Sequence, residues 1–142
     1  MSLPISNSLE IPYIDEKSDV YKNIRRPKLA LSLYSRKLKR WVKIDNFLAD
    51  TGADISVLPK SLGTLIVGNI KSQKKYQISG LTTNDNADMH IHKLSVKIGN
   101  KTFRTDFAIS NSDDVPPTLG RIGALDKFQI IYDKGKKMVI RW

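Results

Sequence analysis

Apolar residues in this chain recur at every second position in short stretches, and turn-forming residues break each stretch before it reaches helical length. LALSLYS sets Leu29, Leu31 and Leu33 against Ala30, Ser32 and Tyr34, and WVKIDNFLA follows after a basic turn at Arg36 to Arg40. KYQISG, MHIHKLSVKIG and KTFRTDFAIS alternate in the same way, with Gly99-Asn100 between the last two as a two-residue hairpin signal. FQIIYD and KMVIRW, joined at Asp133 to Lys136, end the sequence on another hairpin. A period of two buries one face of a strand, so the pattern predicts a nearly all-β protein, a small barrel or sandwich.

Two stretches depart from the alternation. After ISVLP, which reads as a β-branched strand, KSLGTLIVGNI is interrupted by Gly63 and Gly68 and is expected to form short strands and turns. PPTLGRIGALDKFQ reads as a short strand, a glycine and the single short helix, around Gly123 to Phe128. Residues 1–27 carry no sustained periodicity and close on Arg26-Pro27, where proline disfavours helix for the residue before it. They are expected to be an extended arm or leader, and residues 28–142 the folded domain. A chain of 142 residues has room for one such core and little room for a second.

The absence of cysteine removes disulfide frameworks, thiolate zinc sites, iron-sulfur clusters and cysteine nucleophiles together. MSLPISNSLEIPYIDE lacks a basic region followed by a continuous apolar one, and no window approaches the roughly 20 apolar residues of a membrane span. The expectation is a cytoplasmic protein with no membrane association. The formal charge is +10, and Arg25, Arg26, Lys28, Arg36, Lys37, Lys39, Arg40 and Lys43 crowd into one early stretch. Such a patch can bind phosphate backbones or acidic membrane surfaces, but basic runs more often only solvate a hairpin face, and that reading is preferred here.

Several chemical motifs fail on inspection. GTLIVGNIK, from Gly63 to Lys71, has the glycines of a phosphate loop but puts Asn69 where lysine must reach the phosphates. His90 and His92 point the same way on a strand, yet no third histidine or cysteine exists to complete a zinc site, so surface-facing strand residues are expected. NDNAD, residues 84–88, lacks the glycine and distal glutamate of a calcium loop, and no G-x-S-x-G is present. No metal or cofactor is expected.

FLADTGADISVLPKSL, residues 47–62, remains. Asp50 is either a turn residue ending a strand or a catalytic carboxylate. The apolar run NFLA delivers it toward a buried or cleft position, and Gly52 then lets the backbone turn sharply. A surface Asp-Gly turn needs no such approach. Far along the chain, Pro117-Thr118-Leu119-Gly120-Arg121 offers a second apolar strand ending in glycine, suited to close packing beneath a loop.

D-T-G-A followed by D-x-S-V-L-P, and about seventy residues later L-G-R-x-G-x-x-D-x-F, resembles the retropepsin-like aspartic proteases, especially their prokaryotic relatives. The resemblance runs from about Pro27 to the end of the sequence. It implies an all-β fold, a small closed β-barrel of the acid-protease type with a single lobe and one short helix. It also implies an aspartic endopeptidase.

Peptide hydrolysis by carboxylates needs one ionised group to take a proton from water and one protonated group to polarise the carbonyl. Only one D-T-G is present, so Asp50 needs a second copy of itself, which a two-fold homodimer supplies. By resemblance, Thr51 bonds across the dimer axis, Gly52 admits the substrate backbone, and Ala53 and Asp54 line the cleft. Leu119, Gly120 and Arg121 support the site, with an Asp54–Arg121 ion pair expected. The flap over a peptide or protein substrate falls on Ile78 to Met89, with Ser79, Gly80, Leu81 and Thr82 as contact residues. Two rival readings stand beside the protease: a catalytically silent dimerisation or peptide-binding module of the same fold, and a basic nucleic-acid-binding protein.

Overall fold

The computed structural model describes residues 7–77 and 88–142 of the chain. Alternation becomes architecture in β4 (Lys28–Ser35) and β5 (Arg40–Ala49), an antiparallel hairpin in which Leu29, Leu31 and Leu33 are buried. Leu29 stands opposite Phe47 and Leu31 opposite Ile44, so β5 carries one extra residue there. That bulge keeps Ile44 and Phe47 both inward although they are three apart, while Asp45 and Asn46 stay exposed.

Four further strands complete the barrel: β6 (Ser56–Leu58), β8 (Asp88–Ile98), β9 (Lys101–Ser110) and β10 (Thr118–Leu119). Pairing runs β4-β5-β10-β6-β9-β8 and returns from β8 to β4, closing the ring, with β7 (Lys75–Gln77) on the outer edge of β8. The interior is filled by apolar side chains, among them Leu94, Val96, Ile98 and Ile109, with Phe47 and Phe107 edge to face at 6.2 Å. The architecture is the expected closed single-lobe β-barrel.

The remaining strands flank it. β1 (Ser8–Pro12), β12 (Lys137–Arg141) and β11 (Gln129–Asp133) form a three-stranded antiparallel sheet with β12 in the middle. Residues 8–12 thus pair along their length with residues 137–141. β2 (Ile14–Glu16) and β3 (Ile24–Arg26) make a ribbon tied by Arg26–Glu16 at 2.9 Å and by Lys28–Glu16.

Two local expectations are corrected. Residues 60–67, expected as strands and turns, form the helix α1 (Lys60–Val67). Its propensity is poor, since Thr64, Ile66 and Val67 are β-branched and Gly63 lies inside it. Tertiary contacts override that: Gly63 lies so close to β9 that a Cβ would come 2.2 Å from Ile109 Cγ2. The free helix ends are also satisfied. Asp113 accepts from Ser61 N–H at 2.7 Å, while Arg36 N–H donates to Ile66 O at 2.7 Å and the Ser35 hydroxyl to Leu65 O at 2.7 Å. The helix expected at 123–128 is instead a single 3-10 turn, Leu125–Lys127.

His90 and His92 are also corrected, from surface residues to pins. His90 is 5% exposed and takes the Ser72 N–H on Nδ1 at 3.0 Å. His92 donates from Nε2 to Ile70 O at 2.7 Å and accepts from Arg36 on Nδ1 at 2.9 Å. Both fasten the chain after α1 against β8. Among the described residues no helix is long and apolar enough to cross a membrane, and no cluster of metal-ligating side chains occurs.

Candidate active site

Asp50 follows the last residue of β5, and the end of that strand is gripped from both sides. Ala49 N–H donates to Pro27 O at 3.0 Å, and Leu48 N–H donates to Pro117 O at 2.9 Å. β10, only two residues long, slots between β5 and β6, parallel to the first and antiparallel to the second. Asp50 N–H then donates to Leu119 O at 3.1 Å, so the backbone that carries the carboxylate continues the β10 pairing.

Beyond this point the chain turns. Asp50 Oδ1 accepts from Gly52 N–H at 2.9 Å, and Asp50 O accepts from Ala53 N–H at 3.2 Å. These bonds aim the half-buried Asp50 away from the core while Thr51, Gly52 and Asp54 stand exposed and Ala53 is half-buried. The loop returns into β6 at Ser56, whose buried hydroxyl accepts from Gly120 N–H at 2.9 Å.

Gly120 lies directly beneath the loop. A Cβ there would come 2.5 Å from the carbonyl carbon of Ile55 and 2.6 Å from its oxygen, so a side chain has no room. Arg121 N–H donates to Ala53 O at 2.8 Å and Ile122 N–H to Asp54 O at 3.0 Å. Leu119, Gly120 and Arg121 are therefore brought against the Asp50 loop by hydrogen bonds of their own main-chain groups, about seventy residues away in sequence.

The expected Asp54–Arg121 ion pair is corrected. Arg121 Nε lies 3.1 Å from Asp126 Oδ2 instead, a partner five residues on in the adjoining 3-10 turn. Local reach decides the pairing, and both side chains are about half exposed, where such pairs contribute only ~0 to 1 kcal/mol. Asp54 and Arg121 are joined through backbone neighbours rather than charge. The flap residues Ser79, Gly80, Leu81 and Thr82 lie outside the described residues.

One neighbour of the carboxylate has no counterpart in the sequence reading. Tyr132 on β11 is 40% exposed, and burial first, then Tyr13 and the charge of Asp50, push its hydroxyl above its ordinary value. Alternation alone gives no reason to bring β11 to Asp50. Taken together, the site presents one half-exposed carboxylate on a rigid loop. Among the described residues, the Gly52 N–H is the one hydrogen-bond donor to that carboxylate. A single carboxyl in this setting can serve as base or as acid, but not as both at once.

A scan against protein-family models returns no match, and a search of curated proteins returns none either. Solved structures do match. The crystal structure of a retropepsin-like aspartic protease from Rickettsia conorii superposes with a TM-score of 0.61 at 20% identity, covering 100% of this chain and 97% of that one. The EIAV protease complexed with the inhibitor HBY-793 matches with a TM-score of 0.45 at 23% identity, covering 68% of this chain and 82% of that one. Its end-to-end correspondence with the Rickettsia conorii protein, together with the closed strand ring, shows that this chain has the retropepsin-like fold.

Proposed function

We propose that the protein is an aspartic endopeptidase that acts as a homodimer. The observation that carries this reading is the placement of Asp50: a carboxylate at the end of an interior strand, turned to solvent on a loop that Leu119 O and Gly120 hold from below. Two copies related by a two-fold axis supply two such groups. The ionised Asp50 takes a proton from water, and the resulting hydroxide attacks the substrate carbonyl carbon. The protonated Asp50 of the second copy donates to the carbonyl oxygen. Collapse of the tetrahedral intermediate returns that proton, protonates the leaving nitrogen and breaks the C–N bond.

The surroundings support a dimer. β11 pairs with β12 on one side and forms the edge of its sheet, and it carries Ile131 at 39% exposure and Tyr132 at 40%, the latter close enough to feel the charge of Asp50. A strand edge with exposed apolar side chains is a template for pairing with another chain. In this reading Thr51 bonds across the axis, Gly52 admits the substrate backbone, and Ala53 and Asp54 line the cleft under a flap that includes residues 79–82. Residues 28–142 form the protease domain.

Asp50→Asn tests the reading. Cleavage of a denatured protein or a peptide library should fall by about 100-fold to 10,000-fold, with dimerisation by sedimentation unchanged. Cleavage at the wild-type rate would overturn the mechanism, and a persistent monomer under assay conditions would overturn the paired carboxylates. Wild-type protein that binds a peptidic transition-state mimic but cleaves nothing would be the silent module instead.

A further inference from the structure

The outer face of the barrel opposite its apolar interior is assembled from four strands, and its chemistry becomes visible only through their register. Ser32 on β4 stands between Lys43 on β5 and Lys97 on β8, and Lys97 stands opposite Thr102 on β9. In the adjacent row Tyr34 pairs with Trp41, and Ser95 with Arg104. Lys93 follows on β8. Sequence positions 41, 43, 93, 97 and 104 are thereby gathered on one side of one sheet. The charged turn between β4 and β5, with Lys37 and Lys39, leads into Arg40 and Trp41 at the start of β5.

Simple solvation does not account for this face. Trp41 is 39% exposed and, unlike a scattered surface apolar residue, is set among lysines. Its ring is held in place, edge to face with Tyr34 at 5.6 Å, with the Lys97 ammonium 5.5 Å from its centroid. A shallow depression beside it is lined by Ala30, Leu31, Ser32, Lys43, Lys97 and Gly99. Asp45, 3.6 Å from Lys43, and Asp106, opposite Lys93, are the acidic side chains on these strands' outer positions, so with Lys97 and Arg104 the face is net positive.

A fixed aromatic ring flanked by lysines is the arrangement that takes an unpaired base by stacking and its phosphates by charge. We propose that the β5-β4-β8-β9 face binds single-stranded nucleic acid, with a base on Trp41 and the backbone running along Lys43, Lys97 and Arg104. Lys97 exchanges the ring for a phosphate as the base arrives. Duplex fits less well, because its bases are already stacked and cannot reach the ring. The site does not use Asp50, and it stands or falls independently of the protease reading.

The test uses the full chain carrying Asp50→Asn, so that self-cleavage, if the protein is a protease, is suppressed, and a fluorescein-labelled oligothymidine of about 20 nucleotides, long enough for more than one site. Anisotropy at low salt should show binding that weakens steeply as salt rises. Trp41→Ala should weaken it about tenfold, as expected for loss of one stacked base. Lys43→Glu with Lys97→Glu should weaken it further and flatten the salt dependence, whereas Lys134→Glu, on the β11–β12 turn, should change it less than about twofold by the general field alone. Circular dichroism melts establish that each variant is folded. The proposal is overturned by no binding at low salt, by a Trp41→Ala affinity equal to that of the parent, or by equal affinity for duplex. Tighter binding of phosphatidylserine vesicles through the same residues would assign the face to a membrane and overturn it as well.

Discussion

The loop that carries Asp50 and the outer face that carries Trp41 both depend on the barrel strands, yet they are held in different ways. Main-chain hydrogen bonds to Leu119, Arg121 and Ile122, the Ser56 hydroxyl and the bare α-carbon of Gly120 hold the loop. The outer face is held by strand pairing and by side-chain contacts such as Tyr34 against Trp41, and its side chains are exposed or part-exposed. The first region is a fitted assembly in which atoms of distant segments exclude each other, so its position is rigid and its tolerance low. The second is a painted surface, whose side chains can be exchanged with little consequence for folding.

The contrast is sharpest at Gly120. Gly120→Ala drives a methyl into the Ile55 carbonyl and should lower the unfolding free energy by about 1 to 3 kcal/mol, measured by urea denaturation, while displacing the loop and cutting peptide cleavage. An alanine variant as stable and active as wild type would show that the loop is not packed on Gly120. Ser56→Ala leaves the buried Gly120 N–H without its acceptor and should cost about 1 to 2 kcal/mol. Lys97→Ala, by comparison, should stay within about 0.5 kcal/mol of wild type. Equal losses at positions 56 and 97 would erase the distinction between the two regions.

The smallest effect is expected at Asp113, which bonds the first turn of α1. The side-chain bond from Ser61, then its backbone bond, hold the Asp113 carboxyl below its ordinary value of 3.8. A depressed carboxyl contributes stability that is complete above its unfolded value and is lost as pH falls through the folded one. Asp113→Asn should therefore be less stable than wild type at neutral pH, with the gap closing below pH 3.8. A gap that stays constant through the acid range would mean that the charge of Asp113 plays no part.

Much of this molecule could be read in advance because its signals are local. Leu29, Leu31 and Leu33 announce their strand by spacing, and Gly99-Asn100 announces its turn. Asp50, Thr51 and Gly52 are contiguous, so their loop could be found without knowing what lies beneath it. α1 was hidden because its stability comes from Ile109, Asp113 and the β4–β5 turn, while its own composition argues against a helix. The burial of His90 was hidden for the same reason, since its partner is a backbone group eighteen residues away. The Asp54–Arg121 expectation failed because Asp126 is nearer along the chain. Lys93, Lys97 and Arg104 join Trp41 only through strand register, which periodicity does not specify.

The two-residue strand β10 also sets a time at which the molecule can become competent. The Arg121 and Ile122 N–H groups, following Leu119 O and the Gly120 N–H, are the last pieces of the Asp50 loop to be synthesised, and closing a segment of about seventy residues must precede their contacts. During translation the carboxylate emerges early but stays unplaced until residue 122 has left the ribosome. A nascent or truncated chain therefore carries Asp50 without a formed loop to hold it, and the order of synthesis itself delays whatever this residue does until the barrel has closed.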